Sequence, residues 1–463
     1  MLEVRAPHWW QSTCLTALVA SVALIAACGG GGASAPASAP TVTLQSIAVT
    51  PNPVPTGVGI DRQLTATGTR SDGSTVDLTT NVEWATADAS IGAVTAVSGI
   101  VSGTGLGSTT ITATYGSIVG KTQLNVTSNT WASAGATTLG DAGGQAAVLL
   151  ANGQVLLTGG GGGTTVYAYC SLYDPTANAF TRTAAMMNPR FDQTATLLNN
   201  GKALIAGGDQ PFNGSITSVE LFDPASATWS QAASLLTARG GHTATLLPNG
   251  TVLAAGGATP DGTNAGAEVY DPVANAWSVA GTFTPFRAGH TATLLPDGMV
   301  LVVGGTGNLA VDAQLYDPAT MSWSIAASPT VAREFHAAVL LPSGKVLIIG
   351  GVRAGVVPSE TTTSVEIYDP VTNTWSAAAD LPSVVQVAGA ALLPNGLVLV
   401  VGNSNPNDVA PGSNVANLLY DPVANSWSAA ASGVAGAAGS TVTLLKNGAV
   451  LVAGDWGDAE IYW

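Results

Sequence analysis

Residues 246–278 read LLPNGTVLAAGGATPDGTNAGAEVYDPVANAWS and contain four landmarks in a fixed order. Asn249-Gly250 is a dipeptide that favours positive φ, which a two-residue turn between antiparallel strands requires. The doublet Gly256-Gly257 ends a short apolar run, Tyr270-Asp271-Pro272 ends the next run, and Trp277 lies in a fourth. Each run has the length of one strand. The segment therefore predicts an antiparallel sheet of four strands.

The same landmarks recur through residues 129–463, which indicates a repeat architecture. The hairpin dipeptides are Asn152-Gly153, Asn200-Gly201, Asn249-Gly250, Asp297-Gly298, Ser343-Gly344, Asn395-Gly396 and Asn447-Gly448. The doublets are Gly159-Gly160, Gly207-Gly208, Gly256-Gly257, Gly304-Gly305 and Gly350-Gly351, with the weaker Val401-Gly402 and Ala453-Gly454. The third strands end at Tyr173, Phe222, Tyr270, Tyr316, Tyr368, Tyr420 and Tyr462. The fourth carry Phe180, Trp229, Trp277, Trp323, Trp375 and Trp427.

A glycine doublet followed by a spaced tyrosine and tryptophan resembles the kelch repeat, and the doublet spacing of 46 to 52 residues matches its period. The resemblance implies an all-β fold with a seven-bladed kelch-type β-propeller over residues 129–463. The seventh repeat stops at Trp463 without its tryptophan-bearing strand, whereas Asn129-Thr130-Trp131 looks like that missing strand. We therefore expect residues 130 to 136 to pair with the last strand, which closes the ring and removes free sheet edges.

Residues 43–128 contain alternating runs separated by turn signals such as Ser71-Asp72-Gly73, as in a small immunoglobulin-like β-sandwich. Their order resembles the bacterial Ig-like domain of group 2: an opening I-x-V-T-P, Val82 and Trp84 in a central V-x-W, then G-I-V-S-G and T-I-T-A. The resemblance implies a spacer or adhesion module at the cell surface. Trp84 is predicted to anchor the core, because an indole buries a large apolar area between two sheets.

Residues 1–27 resemble a lipoprotein signal peptide, with Arg5 ahead of an apolar run that ends at Ala27. Ile25-Ala26-Ala27-Cys28 looks like a lipobox, in which Cys28 receives the lipid. Residues 28–42 have the Gly, Ala, Ser and Pro composition of a flexible tether. We expect an exported protein at the outer membrane or cell surface, attached through a lipid anchor only. The alternative is an ordinary secretory signal, which would leave a soluble protein.

The composition restricts the partners of the chain. With 28 acidic and 13 basic residues the formal net charge is −15, which repels phosphate backbones, so we expect no nucleic-acid partner. Three cysteines, one of them inside the predicted signal peptide, exclude a disulfide framework. The oligomeric state is left open by the sequence.

Strand direction separates two ends of the predicted propeller. The Asn-Gly and Asp-Pro turns lie at the first end, which we call the turn end. The loops that follow the glycine doublets and the loops between blades lie at the second end, which we call the loop-rich end. Variable loops on a rigid scaffold are where binding residues concentrate. Phe212 and Trp456 lie in such loops and are predicted to be exposed, where they could stack on sugar rings or an apolar side chain.

Four arginines recur in successive inter-blade loops at the loop-rich end, namely Arg190, Arg239, Arg287 and Arg333. They could bind a carboxylate or sulfate by bidentate hydrogen bonding. The alternative is structural: a guanidinium that satisfies loop carbonyls and neighbouring acids would recur because the repeat was duplicated.

Three histidines share one position at the start of the innermost strand, namely His242, His290 and His336. Imidazoles near a channel could hold zinc or copper. The equivalent residues elsewhere are Gln145, Gln193, Ala388 and Ser440, which favours an inherited hydrogen-bonding role, so no metal or cofactor is predicted. Kelch propellers include copper enzymes of the galactose oxidase type, which need a cysteine cross-linked to a tyrosine, a second tyrosine and two histidines. Cys170 is the one cysteine after Cys28 and no histidine follows His336, so that set is not assembled.

These observations favour a non-enzymatic cell-surface binding or adhesion protein whose loop-rich end contacts a protein or a carbohydrate. An alternative is an extracellular carbohydrate-active enzyme on a kelch scaffold, an oxidase or an epimerase. A second alternative is an architectural envelope protein. Clustered carboxylates and histidines at the mouth of the channel would favour the enzyme.

Overall fold

The computed structural model describes residues 42–139, 143–162, 165–263, 265–283, 287–306, 312–353, 360–404, 415–431, 433, 439–454 and 457–463. Every regular secondary-structure element within these ranges is a β-strand, so the all-β prediction is confirmed. Within the same ranges, no helix has the length and hydropathy that a membrane crossing requires. The predicted signal peptide of residues 1–27, the lipidation candidate Cys28 and the exposed-aromatic candidate Trp456 lie outside the described residues.

An Ig-like sandwich comes first in the described chain. Its strands are β1 (Leu44–Thr50), β2 (Val54–Gly57), β3 (Asp61–Gln63), β4 (Thr65–Arg70), β5 (Thr75–Asp77), β6 (Glu83–Thr86), β7 (Gly92–Val94), β8 (Ile100–Gly103), β9 (Gly107–Tyr115) and β10 (Ile118–Thr127). They form sheets in the orders β1-β4-β5, β2-β10-β9-β6 and β3-β8-β7. Trp84 is 3% exposed in the core and donates from Nε1 to the Thr79 carbonyl at 2.9 Å, as its predicted anchoring role requires.

Seven four-stranded antiparallel sheets follow among the described residues, numbered here 1 to 7 with strands given from the innermost outward. Sheet 1 has β12 (Ala146–Leu149), β13 (Val155–Thr158), β16 (Cys170–Asp174) and β17 (Ala179–Thr183). Sheet 2 has β18 (Thr194–Leu197), β19 (Ala203–Ala206), β22 (Val219–Asp223) and β23 (Thr228–Gln231). Sheet 3 has β24 (Thr243–Leu246), β25 (Val252–Ala255), β26 (Ala267–Asp271) and β27 (Ala276–Val279). Sheet 4 has β28 (Thr291–Leu294), β29 (Val300–Val303), β30 (Ala313–Asp317) and β31 (Ser322–Ala326).

The remaining sheets repeat this order. Sheet 5 has β33 (Ala337–Leu340), β34 (Val346–Ile349), β36 (Val365–Asp369) and β37 (Thr374–Ala377). Sheet 6 has β38 (Gln386–Leu392), β39 (Val398–Asn403), β40 (Val415–Asp421) and β41 (Ser426–Ala429). Sheet 7 has β42 (Thr441–Leu444), β43 (Val450–Ala453), β44 (Asp458–Tyr462) and, from the start of the ring, β11 (Trp131–Ala136). Short pairs at the loop-rich end are β14 (Gly161–Gly162) with β15 (Thr165–Val166), β20 (Asp209–Gln210) with β21 (Gly214–Ser215), and β32 (Arg333–Glu334) with β35 (Val352–Arg353).

The sheets form a closed ring through their innermost strands. These strands contact one another in the cyclic order β12, β18, β24, β28, β33, β38, β42 and back to β12. Every residue of the seven second strands is buried, because each second strand lies between two adjacent sheets. This burial explains why the sequence after each hairpin dipeptide is a continuous apolar run rather than an alternating one.

A hydrogen-bonded lock recurs in sheets 3, 5 and 6 and joins each of them to the sheet before it. In sheet 3 the Tyr270 hydroxyl donates to Asn275 Oδ1 at 2.9 Å, and the backbone N–H of Ala233 donates to the same oxygen at 2.9 Å. Trp277 Nε1 then donates to the Ala233 carbonyl at 2.9 Å. Asn275 has a φ of 48°, a region that asparagine enters more readily than most residues. The Tyr, Asn and Trp of one repeat therefore form a single hydrogen-bonded connection to the preceding sheet.

The same lock closes the ring, with its parts taken from opposite ends of the chain. Trp131 in β11 lies opposite Tyr462 in β44, which is the pairing expected from the repeat. The Tyr462 hydroxyl and the Ala431 N–H both donate to Asn129 Oδ1 at 2.9 Å. Trp131 Nε1 donates to the Ala431 carbonyl at 2.8 Å. The first strand of the ring therefore completes sheet 7 by the same contacts that Tyr, Asn and Trp of a single repeat make in sheets 3, 5 and 6.

The Ig-like sandwich contacts the ring at the turn end. Arg62 Nη1 donates to the Pro175 carbonyl at 3.0 Å and the Gln63 N–H donates to the Thr176 carbonyl at 2.9 Å, both in the Asp-Pro turn of sheet 1. Ile60 is 1% exposed within a core cluster that belongs mainly to the ring. Trp463 Nε1 donates to Thr127 Oγ1 at 3.2 Å. These contacts are at the opposite end from the variable loops.

Candidate ligand-binding face

A belt of backbone hydrogen bonds runs along the mouth of the ring at the loop-rich end, from sheet 1 to sheet 5. Its members precede the innermost strands and have positive φ: Gly144, Asp192, Gly241, Gly289 and Phe335. Successive members are joined by N–H to carbonyl bonds, at 2.8 Å from Asp192 to Gly144, 3.1 Å from Gly241 to Asp192, 3.5 Å from Gly289 to Gly241 and 2.8 Å from Phe335 to Gly289. We call these five residues the mouth belt. Positive φ suits glycine, so Asp192 and Phe335 are the members that require an explanation.

Asp192 belongs to a carboxylate pair at this mouth. Partial burial, with the charge of Asp209 as a second cause, raises the pKa of Asp192 to about 6. Desolvation also raises the pKa of Asp209, whose N–H donates to the Phe191 carbonyl at 2.7 Å. Asp192 keeps contact with solvent while protein atoms displace much of the water around it. Both carboxylates are able to accept hydrogen bonds from hydroxyl groups.

Two phenylalanines present their rings to solvent at the same end. Phe212, between β20 and β21, is 97% exposed with a φ of 66°, which agrees with its predicted exposure. Phe335 is 60% exposed with a φ of 52°. An exposed aromatic ring in a constrained backbone offers a flat apolar face to a ligand. Sequence reasoning missed Phe335, although it occupies the position before a repeat histidine that glycine holds before His242 and His290.

The four repeat arginines are buried inside the ring. Their exposed fractions are 0 to 2%, and the prediction that they bind a carboxylate or sulfate from solution is therefore wrong. Arg190, Arg239 and Arg333 form ion pairs of 2.6 Å with Glu220, Glu268 and Glu366 respectively. Each of the four, including Arg287, also donates from Nη1 to the carbonyl of the first glycine of a doublet. These contacts match the alternative interpretation, in which each guanidinium satisfies loop carbonyls and a neighbouring acid.

The glutamate partners also bind the loops between sheets. Glu268 accepts the backbone N–H groups of Leu236 and Thr237 at 2.7 and 2.9 Å, besides its ion pair with Arg239. Glu220 accepts those of Met187 and Asn188 at 2.7 and 3.1 Å. A buried carboxylate thus neutralises the guanidinium and satisfies loop donors at once. These ion pairs fix the bases of the loops that surround the mouth.

The repeat histidines hold neighbouring innermost strands together. The Nε2 atoms of His242, His290 and His336 lie 3.0, 3.0 and 2.8 Å from Oγ1 of Thr194, Thr243 and Thr291, each in the preceding sheet. Burial lowers the pKa of all three, to about 3 for His290 and His336, with a nearby arginine as the second cause. The rings are therefore neutral at physiological pH. Among the residues that the structure describes, no group of three or more His, Cys, Asp or Glu is placed to hold a metal.

Replacing His290 by glutamine is expected to flatten the pH dependence of stability. Because burial holds the folded-state pKa of His290 below the unfolded value of 6.5, its stabilising contribution is complete above pH 6.5 and is lost as the pH falls. His290→Gln, which copies Gln193 of sheet 2, should remove about 2 kcal/mol of the loss in unfolding free energy between pH 7 and pH 5. Urea unfolding at both pH values measures it. An unchanged difference between the two pH values would show that His290 is not buried as a neutral ring.

Cys170 is a buried structural residue. It is 0% exposed in β16, its Sγ lies 3.4 Å from the Ala168 carbonyl, and burial raises the pKa of its thiol to about 12. A thiol in that state is neither a metal ligand nor a nucleophile at neutral pH. The described residues therefore do not fit the donor set of the copper radical enzymes.

Comparison with known proteins defines the class of the chain. Residues 335–382 match the family model described as Kelch motif, and residues 43–126 match that of the bacterial Ig-like domain (group 2). With the closed ring of four-stranded sheets, these matches define a kelch-type propeller protein with an N-terminal Ig-like domain.

Two solved structures and one protein sequence are similar to parts of this chain. A solved structure described as a novel fungal alcohol oxidase of the AA5 family, in complex with copper, has a TM-score of 0.58 and 17% identity, over 72% of this chain and 75% of that one. At this identity the likeness shows the fold alone. The structure of YjhT has a TM-score of 0.49 and 15% identity, over 63% of this chain and 98% of that one. Ice-binding protein 1 of Shewanella frigidimarina (strain NCIMB 400) is 46% identical over 69 residues, which are 15% of this chain and 8% of that protein.

Proposed function

We propose that the chain is an extracellular binding protein whose loop-rich end recognises a carbohydrate. The observation that carries the proposal is the mouth belt, in which Asp192 and Phe335 keep positive φ at a position that glycine holds in the adjoining repeats. A strained backbone persists where the surrounding structure imposes it, and such residues concentrate at ligand sites. The strain here displays one carboxylate and one aromatic ring at the mouth.

The exposed groups have the chemistry that a sugar requires. A pyranose presents an apolar face of C–H groups, which packs on an aromatic ring such as Phe335 or Phe212. Its hydroxyl groups donate to carboxylates, which Asp192 and Asp209 supply. The Ig-like domain contacts the ring at the turn end through Arg62 and Gln63, which supports the loop-rich end as the binding face.

Phe335→Gly is expected to weaken carbohydrate binding at least about tenfold, because the stacking face is lost while the belt keeps a residue suited to positive φ. A glycan array with the mature protein identifies the sugar, and calorimetry measures the affinity. Val371→Ala at the turn end is the matched control, since Val371 is 92% exposed and should bind as the wild type does. Equal affinity of the wild type and Phe335→Gly would contradict the proposal, and selective binding of peptides would favour a protein ligand.

A carbohydrate-active enzyme is the second candidate, and the Asp192–Asp209 pair favours it. A carboxyl group with a pKa near 6 is suited to general acid–base catalysis near neutral pH. Incubation of the bound glycan followed by mass spectrometry and NMR distinguishes the two functions. Chemical change that Asp192→Asn abolishes would identify an enzyme. An unchanged glycan supports binding alone, and the absence of a ligand on both a glycan array and a peptide array would favour an architectural protein.

Attachment through Cys28 is part of the proposal, supported by the lipobox-like residues 25–28 and by the bacterial Ig-like domain, a match that supports an extracellular or surface location. In the native cell, Cys28→Ser is expected to abolish lipid labelling and to move the protein from the membrane fraction to the soluble fraction. Fractionation with metabolic fatty-acid labelling measures both. Soluble, unlabelled wild-type protein would instead indicate an ordinary secretory signal.

A further inference from the structure

A cavity lies at the joint between the Ig-like sandwich and the turn end of the ring. Its volume is about 520 Å³, which is in the range of pockets that hold small molecules. Val58 and Ile60 of the sandwich line it, together with the hairpin turns of sheets 6 and 7. Tyr462 and Trp463 also line it. We call this space the joint cavity.

The walls of the joint cavity are apolar and held in place by the fold. Leu393, Leu419 and Tyr462 belong to the core cluster between sheets 6 and 7. The backbone of Trp463 exchanges two hydrogen bonds with Thr130, at 3.1 and 3.2 Å. A Cβ at Gly57 would overlap the Trp463 side chain, so the indole packs directly against the backbone of the sandwich. The cavity is therefore bounded by groups that both domains fix.

Other grooves at the turn end differ from the joint cavity in size and in charge. Three of them, between neighbouring sheets from sheet 3 to sheet 6, have volumes of about 250, 260 and 410 Å³. Asp297 lines two of these grooves and Lys345 lines the third. The described residues that line the joint cavity include no charged side chain, in a chain whose net charge is −15. Since burial of an unpaired charge is costly, the joint cavity is suited to an uncharged ligand.

Asparagine amides provide hydrogen-bond donors at the joint cavity. Asn395 Oδ1 and Asn447 Oδ1 accept the N–H groups of Leu397 and Ala449 within their hairpin turns, at 3.1 and 3.2 Å. The third lining asparagine, Asn129, uses its Oδ1 in the lock that closes the ring. Among the described residues, none accepts a hydrogen bond from Nδ2 of these three asparagines. The lining therefore favours a ligand that contains an acceptor.

Val58 leaves apolar surface in water at this cavity. It is 52% exposed, whereas Ile60, two residues further along the chain, is buried. A ligand that covers Val58 and contacts the buried walls removes this apolar surface from water, which favours binding. The indole of Trp463 offers a planar face, on which a flat ring system packs better than a flexible chain does.

We propose that the joint cavity binds a small uncharged molecule with a flat apolar body and a hydrogen-bond acceptor, such as an aromatic ketone. The body packs against Trp463 and the leucine walls, and the acceptor receives an asparagine Nδ2. Because Asn129 and Tyr462 belong to the closing lock, occupancy of the cavity also stabilises the closed ring. The site is at the opposite end from the mouth belt, so the inference does not depend on carbohydrate binding.

Fluorescence titration of the mature protein with prodan tests the site. Prodan is a neutral aromatic ketone whose emission shifts to the blue when it leaves water. The wild type is expected to show a saturable blue shift with a Kd on the order of 50 µM, the range open to a ligand of this size. Val58→Trp fills the cavity and should weaken binding at least about tenfold. Val273→Trp at the Asp-Pro turn of sheet 3 is the matched control, since Val273 is 95% exposed, and should bind as the wild type does.

A second pair of variants tests the amide donors without filling the cavity. Asn447→Asp copies Asp297 of sheet 4, where the carboxylate accepts the N–H of Met299 at 3.0 Å, so the hairpin turn is preserved. The change removes a donor and adds a charge, and it should weaken prodan binding at least about fivefold. Asn200→Asp makes the same change in the hairpin of sheet 2 and should leave the affinity unchanged.

The possible outcomes support or overturn the proposal separately from carbohydrate binding, which is measured on other variants. Absence of a saturable shift in the wild type overturns it, as does equal affinity of the wild type and Val58→Trp. If Val58→Trp does not fold, the comparison of Asn447→Asp with Asn200→Asp decides. Binding of the anion anilinonaphthalene sulfonate as tightly as prodan would overturn the assignment to an uncharged ligand.

Discussion

Glu268→Ala is expected to lower the free energy of unfolding by about 3–5 kcal/mol, among the largest effects of any single substitution in the ring. The substitution leaves the Arg239 guanidinium, which is 0% exposed, without its anion at 2.6 Å. It also removes the acceptor of the Leu236 and Thr237 N–H groups. Unpaired buried charges and donors cost more than the net contribution of the intact pair. Urea unfolding at pH 7 measures the change.

The matched control replaces both charged partners. Arg239→Val/Glu268→Leu copies Val385 and Leu418 of sheet 6 and should lose much less stability than Glu268→Ala, because no buried charge remains unpaired. Lys202→Ala is a second control, since its ion pair with Asp223 is exposed and should contribute less than about 1 kcal/mol. A loss below about 1 kcal/mol for Glu268→Ala would show that Arg239 has access to water.

Trp131→Ala is expected to lower the free energy of unfolding by about 3 kcal/mol and to promote aggregation. The substitution removes the hydrogen bond to Ala431 and the ring contact with Tyr462, whose centroids lie 5.0 Å apart. β11 is joined to the ring through these contacts and its pairing with β44. Its release would expose the unpaired edge of β44, which other chains could extend. Urea unfolding and size-exclusion chromatography measure the two effects.

Trp229→Ala is the control for Trp131→Ala. Trp229 makes the equivalent contacts in sheet 2, where it packs on Phe222 and donates to the Ala184 carbonyl at 2.8 Å. Its strand follows directly from the preceding turn, so a local loss of packing does not open the ring. Trp131→Ala should therefore aggregate more than Trp229→Ala. Equal aggregation of the two variants would contradict a closing role for β11.

The fold was predictable because local turn chemistry and the repeat agree. Both glycines of the doublet have positive φ, 64° at Gly256 and 91° at Gly257, and a Cβ at Gly256 would lie 2.6 Å from the Arg287 carbonyl. Such positions require glycine, so their spacing records the architecture directly. The closing strand was predictable for a related reason, since Asn129 and Trp131 keep the spacing of Asn275 and Trp277.

The candidate site was less predictable because recurrence does not show which way a side chain points. The arginines recur as surface binding residues would, yet they are buried against Glu220, Glu268 and Glu366. The signal was present in the sequence: each glutamate lies two residues before the aromatic that ends the third strand, so it recurs with the arginine. The proximity of Asp192 to Asp209 depends on a tertiary contact between loops, which the repeat spacing does not contain.

Hydrogen–deuterium exchange of the mature protein tests the closed ring most directly. Amides of β11 that bond to β44 should exchange as slowly as those of β23 in sheet 2, and deletion of residues 458–463 should abolish their protection. Rapid exchange of residues 131–136 in the intact protein, at the rate of an unpaired linker, would show that the first strand does not complete the last sheet.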